Sequence, residues 1–324
     1  MLLNILGVLF GMFLIVKGAD IMVDGASAMA RKFRITEVVI GLTVVAFGTS
    51  MPEFVVSFFS ALRGSGDMSV GNIMGSNIFN SLVILGATAF VATVPVKRRS
   101  LYVDIPWGFL AALVCCLVCF DAWLWGGAEN MISFTDALIL LVVFALFMGY
   151  NFWLALRSKK EMKVVESSMP NWEIALKLLG GLAGLILGGN LMVNCASNVA
   201  RELGVSEAII ALTILAAGTS APELVTSIVA ARRGSIEMAV GNAIGSNVFN
   251  VFFVLGTAGL IAPLRVNDIQ PVDVLMFLGG PLFLWVVAFL FRRINRLTGS
   301  LMVLAYVAYL VILVRTALGY PSPL

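Results

Sequence analysis

Glu53 and Glu223 are the two side chains whose surroundings point to chemistry. Thr43-Val-Val-Ala-Phe-Gly-Thr-Ser-Met-Pro-Glu53 returns 170 residues later as Thr213-Ile-Leu-Ala-Ala-Gly-Thr-Ser-Ala-Pro-Glu223. The same offset carries Gly71-Asn-Ile-Met-Gly-Ser-Asn-Ile-Phe-Asn80 onto Gly241-Asn-Ala-Ile-Gly-Ser-Asn-Val-Phe-Asn250. From Gly41/Ala211 to Gly86/Gly256 the copies align without a gap and share 25 identities in 46 positions. A carboxylate is costly in hydrocarbon, so one that recurs inside apolar sequence marks an ion pathway. Duplication for packing alone would account for the repeated glycines but not for the repeated acids, amides and Thr-Ser steps.

The neighbours of each glutamate supply oxygen. Pro52 has no N–H for the carbonyl of Gly48, nor Pro222 for that of Gly218, and the ring pushes that carbonyl aside. Each helix is therefore expected to loosen at Ala46–Thr49 and Ala216–Thr219. Carbonyls freed at membrane depth are tolerated only where something such as a cation satisfies them. In the next span Asn72, Ser76 and Asn80 recur every four residues on one helical face, with Asn77 at its edge; Asn242, Ser246, Asn247 and Asn250 repeat the pattern. Carboxylate, carbonyl, hydroxyl and amide oxygens together suit Ca2+, which takes six to eight oxygen ligands at roughly 2.3–2.6 Å, while Mg2+ demands a stricter octahedron. Na+ accepts fewer ligands of the same kind. The chain has no His and no Cys near the motif, so transition metals are poorly served. Two carboxylates cancel one Ca2+ or two Na+; without a cation they repel, so protons should compete with calcium.

Ten membrane spans would position these residues. The chain of 324 residues is 60% hydrophobic and 12% charged, with a mean hydropathy of +1.02, which excludes an ordinary soluble domain. Stretches of ~20 apolar residues predict spans at Leu2–Ala30, Thr36–Leu62, Met68–Thr93, Leu101–Ala122, Ile132–Leu156, Trp172–Val199, Ser206–Arg232, Glu237–Ala262, Pro271–Phe291 and Leu297–Leu318. Met1-Leu-Leu-Asn-Ile-Leu lacks a basic leader and a small-residue cleavage site, and so reads as a first membrane helix. Alternate loops hold Arg31, Lys32, Arg34, Lys97, Arg98, Arg99, Arg157, Lys159, Lys160, Lys163, Arg232, Arg233, Arg292, Arg293 and Arg296. The opposite set holds only Arg63, Arg201, Arg265 and Arg315. The positive-inside rule places the rich set in the cytoplasm and both termini outside. Five spans on either side of the central loop make the second copy enter from the other side, giving two inverted repeats. The expected domains are 1–157, a cytoplasmic connector 158–171, and 172–324. The repeat extends weakly upstream, Gly18-Ala-Asp-Ile-Met-Val-Asp24 matching Gly188-Gly-Asn-Leu-Met-Val-Asn194.

Gly-Thr-Ser-x-Pro-Glu followed by Gly-Ser-Asn-x-x-Asn, twice and in opposite orientation, resembles the α-repeats of the sodium/calcium exchanger family, within the calcium/cation antiporter superfamily. The resemblance implies an all-α membrane protein of ten transmembrane helices in two inverted five-helix repeats, a multi-pass protein of the cell membrane, expected as a monomer. It implies Ca2+ and Na+ as competing substrates moved by alternating access, with the first helix of each half, Leu2–Ala30 and Trp172–Val199, sliding past the core. By motif, Glu53 and Glu223 would bridge calcium, and Thr49 and Thr219 would offer backbone carbonyls. Ala46, Thr49, Ser76 and Glu223 would form one sodium site, with Ala216, Thr219, Ser246 and Glu53 as its mirror image. Asn80 and Asn250 would line the middle, and Ser50 and Ser220 complete the oxygen-bearing set. Many exchangers carry Asp where this chain has Asn250, and the family links that acid to potassium co-transport; a potassium-independent exchanger is expected. Calcium/proton antiport remains the alternative, and a passive cation channel a reading from a different class. No cofactor and no nucleic-acid partner is expected. An enzyme with Ser50 or Ser220 as nucleophile would lack a histidine base.

Other polar residues have plainer readings. Asp20 and Asp24 suit a local pair with Lys17 or a wet rim. Glu37 and Glu207 complement helix N-termini. Ser57 and Ser227, one turn past the glutamates, either orient them or bond back to their own helices. Gly180, Gly181, Gly184, Gly188 and Gly189 allow close packing, and Trp123, Trp125 and Trp172 fit interfacial anchors. Cys115, Cys116, Cys119 and Cys195 read as small buried apolar residues, with no metal pair or disulfide framework.

Overall fold

Long apolar runs with few breakers fold as helices in hydrocarbon, because only a helix satisfies its own backbone there. The computed structural model describes residues 1–120, 122, 126, 129–161, 169–204, 214, 216–267 and 269–318. In chain order the elements are α1 (Leu2–Phe33), α2 (Glu37–Thr49), α3 (Met51–Leu62), α4 (Gly66–Val91), β1 (Val94–Pro95), α5 (Ser100–Cys119), β2 (Met131–Ile132), α6 (Phe134–Glu161), α7 (Asn171–Glu202), α8 (Ala216–Thr219), α9 (Ala221–Arg232), α10 (Ile236–Ile261), β3 (Leu264–Arg265), α11 (Pro271–Phe291), β4 (Arg293–Ile294) and α12 (Arg296–Ala317). Among the described residues eight helices are long and apolar enough to cross a membrane; α2 and α3 together make a ninth, bent span. The counterpart expected over Ser206–Arg232 lies partly outside the described residues, as do Glu207, Trp123 and Trp125 and most of the expected connector. α6 continues to Glu161, past the expected start of that connector.

Burial ranks the helices. The most apolar 18-residue windows of α4 and α10 are each 78% buried, against 22% for α1 and α6. The two helices that carry the Gly-Ser-Asn motifs thus form the centre, and the others turn leucines and phenylalanines such as Leu146, Phe152, Leu187 and Leu290 outward. Outward apolar side chains cost nothing where the solvent is lipid.

Two short antiparallel pairings close the ends. β1 pairs with β4 through Val94↔Ile294 and Pro95↔Arg293, and β2 pairs with β3 through Met131↔Arg265 and Ile132↔Leu264. α4 begins against β3, where Gly66 leaves no room for a Cβ beside the Arg265 backbone, and leads directly into β1. α10 begins beside β1, tied by an ion pair of Glu237 with Lys97, and leads into β3. These 26-residue helices, each about 39 Å long, therefore run antiparallel.

α1 and α7 form a separate antiparallel pair. A Cβ on Gly11 would stand 2.8 Å from the Gly188 carbonyl, and one on Gly18 2.7 Å from that of Gly181. Gly184 reaches the Cα of Gly18, whereas Gly180 has open space and Gly189 only a distant Pro222; close packing accounts for three of the five glycines. Cys115, Cys116 and Cys119 are buried thiols and Cys195 is half-buried. Trp172 is exposed at the start of α7, as an anchor would be.

The proline effect takes a different place from the one expected. The backbone over Ala46–Thr49 is a regular helical turn. The helix breaks at Ser50 (φ −81°, ψ 8°) and restarts with Pro52 in its first turn, bending by 49°. Ser220 breaks the second copy in the same way (φ −89°, ψ 6°). Proline is tolerated in a first turn, where its missing N–H has no partner to lose, so restarting the helix relieves the clash more fully than stretching the previous turn. The looser stretch lies upstream as a π-helical segment, Gly41–Val45.

Candidate ion-binding site

The restarted helices put each glutamate in a first turn at the middle of the protein. Glu53 and Glu223 are both 0% exposed. Their carboxyls are crossed: the Ser50 hydroxyl donates to Glu223 Oε1 at 3.0 Å, and the Ser220 hydroxyl donates to Glu53 Oε1 at 3.2 Å. Each break therefore holds the acid of the other copy, and the two carboxyls lie within electrostatic reach of one another. Ser76 adds a third donor, to Glu53 Oε1 at 3.3 Å.

A second layer braces the backbone around the acids. Asn72 donates to the Glu53 carbonyl at 3.3 Å and to the Ser57 hydroxyl at 3.0 Å. Asn242 does the same to the Glu223 carbonyl at 3.2 Å and to Ser227 at 3.0 Å. Ser57 and Ser227 then donate to the carbonyls of Ser69 and Ala239. These serines neither orient a carboxylate directly nor bond back to their own helices. They tie each Pro-Glu helix to the Gly-Ser-Asn helix that follows it. The Thr49 hydroxyl lies 3.1 Å from Val45 O and 3.1 Å from Asn242 Oδ1, linking the copies again.

α4 and α10 are joined by amides. Asn77 donates to the Asn247 carbonyl at 3.0 Å, Asn247 to the Ser81 hydroxyl at 2.8 Å, and Asn250 to Asn77 Oδ1 at 3.0 Å. Both helices change to a π-helical turn at the last Asn of the motif, over Asn80–Ile84 and Asn250–Leu255. Such turns insert one residue into the helical register and recur at functional sites. Glycine brings α2 and α10 into backbone contact beside them: a Cβ on Gly41 would stand 3.1 Å from the Gly241 Cα.

Several oxygens at this centre are buried without a hydrogen-bond partner among the described residues: Glu53 Oε2, Glu223 Oε2, Asn80 Oδ1, Asn247 Oδ1, Asn250 Oδ1 and Ser246 Oγ. A buried acceptor without a donor is costly. Five of the six can only accept, and the unpartnered donors beside them, the Ser246 hydroxyl and the Asn80 amide, are too few to satisfy them all. A hard cation satisfies such a set.

Of the residues expected to form the site, hydrogen bonds join Glu53, Glu223, Ser50, Ser220 and Ser76 directly, and Thr49 and Asn250 through the amides. Glu53, Glu223, Ser50, Ser220, Ser76, Ser246, Asn80, Asn250, Thr49 and Ala46 are all buried. Thr219 is half-buried, and Ala216 opens the turn that leads to Ser220. Asp20 and Asp24 stand apart, and their partners are not Lys17: Asp20 accepts from Arg233 at 2.9 Å and Asp24 from Lys177 at 2.6 Å. Glu37 accepts from the Ser235 hydroxyl at 3.1 Å, which places it away from the centre.

The sequence profile of sodium/calcium exchanger proteins matches residues 3–153 and 174–315. The chain belongs to the sodium/calcium exchanger family. CaxA of Alkalimonas amylolytica is 35% identical over 316 residues, covering 95% of this chain and 98% of that one. The sodium/calcium exchanger MaX1 of Methanosarcina acetivorans is 28% identical over 348 aligned positions, covering 96% of this chain and 98% of that one. The fold matches that of the sodium-calcium exchanger NCX_Mj, soaked with 2.5 mM Na+ and 1 mM Sr2+, with a TM-score of 0.82 at 29% identity over 96% of this chain and 98% of that one. The exchanger is thus a multi-pass membrane protein whose relatives are ion transporters rather than catalysts.

Proposed function

We propose that the chain exchanges Ca2+ for Na+ across the cell membrane by alternating access. The crossed serine–glutamate bonds carry this reading. They hold two carboxylates from different copies together while leaving one oxygen of each, with amide and hydroxyl oxygens around them, for a dehydrated cation. The pair balances one Ca2+ or two Na+, so either load leaves the centre neutral, which is what an exchanger needs of overlapping sites. Glu53 and Glu223 bridge calcium with the carbonyls of Thr49 and Thr219. Ala46, Thr49, Ser76 and Glu223 form one sodium site, and Ala216, Thr219, Ser246 and Glu53 the other, with Asn80 and Asn250 between. The name of MaX1 and the soaking of NCX_Mj with Na+ together with Sr2+ or Ca2+ support the same substrates.

The architecture we infer is ten spans in two inverted repeats, 1–157 and 172–324, joined by a cytoplasmic connector at 158–171, with both termini outside and a single chain as the working unit. Two observations support it: α4 and α10 run antiparallel, and each short β pairing joins one copy to the other. The α1–α7 pair, in contact through glycine backbones, is the element that slides. Asn250 in place of an acid supports independence from potassium.

The test is uptake of radioactive calcium into proteoliposomes. A sodium gradient alone is expected to drive it, and saturable exchange of labelled for unlabelled calcium is expected where a channel would show none. Uptake driven by a pH gradient and not by sodium would establish calcium/proton antiport instead. Strong stimulation when potassium replaces external choline would overturn potassium independence. Lowering the pH from about 8 to about 5 is expected to depress uptake, because protons compete for the paired acids.

A further inference from the structure

Away from the ion centre, α5 and α11 leave a groove of about 390 Å3 on the outer surface of the bundle, lined by Tyr102, Val103, Pro106, Trp107, Leu110 and Trp285. Tyr102 and Leu110 are exposed along it. The Trp285 indole N–H already donates to the Leu101 carbonyl at 3.1 Å, so this ring offers the groove only hydrocarbon and π surface. The polar end is Arg292, the residue that terminates α11. It adopts φ 54°, a left-handed conformation costly for a residue with a Cβ, and its carbonyl accepts from Val96 N–H at 2.9 Å. The β1–β4 pairing holds the residues that follow.

The Arg292 side chain lies back over the groove. Its Nη2 is 3.3 Å from the Tyr102 hydroxyl, and its guanidinium carbon stands 5.6 Å from the Tyr102 ring centroid and 5.9 Å from that of Phe289. Two nearby cations are committed elsewhere: Lys97 pairs with Glu237 and Arg99 with Asp104 at 3.3 Å. Among the described residues no carboxylate pairs with Arg292, Arg98 or Arg293. Tyr and Trp at an interface anchor many membrane proteins, but anchoring does not explain a guanidinium fixed by its backbone and laid on two rings at the mouth of an apolar slot.

We propose that this groove is a binding site for one anionic phospholipid, with an acyl chain between α5 and α11 and the phosphate held by Arg292. The guanidinium fork matches phosphate geometry, aromatic stacking pre-orients it, and the surplus positive charge of Arg98, Arg292 and Arg293 favours a headgroup with net negative charge over a zwitterion. The proposal requires only that the chain lies in a bilayer, and holds whichever cation is exchanged.

Photoactivatable phosphatidylglycerol and phosphatidylcholine, each at trace level in vesicles of phosphatidylcholine containing the full chain, provide the test. The phosphatidylglycerol probe is expected to label the segments 102–110 and 285–292 about fivefold more than the phosphatidylcholine probe, the bias one basic residue gives near a bilayer surface. R292Q, monodisperse in detergent, should lose that preference, and R296Q should keep it. L110W, which fills the slot, should lower labelling by both probes. Equal labelling by the two probes, or a preference that survives R292Q, would overturn the site and leave an ordinary lipid annulus.

Discussion

The two copies of the motif share nearly all their polar ligating residues, yet they do not carry the same hydrogen bonds. Around Glu53 the carboxyl receives two hydroxyls, Ser220 at 3.2 Å and Ser76 at 3.3 Å. Around Glu223 it receives Ser50 at 3.0 Å, with the Thr49 hydroxyl also beside it, while Ser246, the counterpart of Ser76, has a buried hydroxyl without a partner. The amides differ in the opposite sense. Asn250 gives its N–H to Asn77, but both polar atoms of Asn80 are unpartnered. Duplication supplied two equivalent half-sites, and one chain must pack them against each other around a single centre. The crossed Ser50–Glu223 and Ser220–Glu53 bonds are common to both copies, whereas the flanking hydroxyls and amides belong to one side each and are free to differ.

If the acids are shared, removing either should be equally damaging. E53Q and E223Q are each expected to reduce calcium uptake by about 100-fold or more, because a cation desolvated between two carboxylates loses half its compensating charge. Isotopic uptake into sodium-loaded vesicles measures this. A variant retaining near wild-type uptake while the other is dead would show that the cation rests on one copy only.

The crossed serines come next. S50A removes a donor from Glu223 and S220A one from Glu53. Each leaves the cation ligands in place but the carboxylate free to swing, and a hydrogen bond to a charged group is worth enough to weaken calcium half-saturation by about tenfold. The effects should match, and the double variant should lose less than their product if both bonds position one centre.

The flanking hydroxyls are where the copies should part. Ser76 donates its proton to Glu53 and keeps its oxygen for sodium, whereas Ser246 has no partner in the absence of an ion. S246A and S76A are each expected to raise the sodium concentration needed to release calcium by about fivefold, and S76A alone should also weaken calcium affinity, because it frees the Glu53 carboxylate. Equal calcium affinity in the two variants would mean that the Ser76–Glu53 bond does not position the acid.

Much of this centre is legible in the sequence, because an acid, an amide row and a proline inside apolar sequence have few other uses. Glu53, Glu223, Asn80 and Asn250 stand out by type, and the 170-residue offset pairs them. The roles of Ser50 and Ser220 do not stand out: a serine after Gly-Thr in a membrane helix usually bonds back to its own carbonyls, and only the third dimension shows each reaching the opposite glutamate. The break at Ser50 rather than over Ala46–Thr49 depends on which of two ways of relieving a proline clash fits the neighbouring helix, a matter of packing. The partners of Asp20 and Asp24 lie 213 and 153 residues away, so no local spacing could have named them, and Lys17, the nearest cation in sequence, is exposed instead.

That last pairing separates the copies once more, with the smallest expected effect. Asp20 on α1 pairs with Arg233 at the end of α9, so it ties the α1–α7 pair to the core, while Asp24 pairs mainly with Lys177 of α7, within the pair itself. The repeat offset turns Asp20 into Asn190 and Arg233 into Arg63, which leaves no ion pair at the equivalent place in the other copy. If α1 and α7 slide as a unit, the Asp20–Arg233 bond must break at each stroke, and the Asp24–Lys177 bond travels intact. Both pairs are partly exposed, so water screens them and each bond is weak. D20N should therefore shift the balance between inward- and outward-facing states by about fivefold at most, seen as a change in accessibility of cysteines introduced on either side, and high salt should mimic it. Asp24 also lies 3.9 Å from Arg233, so D24N should shift that balance too, but less. An equal shift from both variants would mean that α1 moves against α7, and the glycine contacts between them would then be a sliding surface rather than a weld.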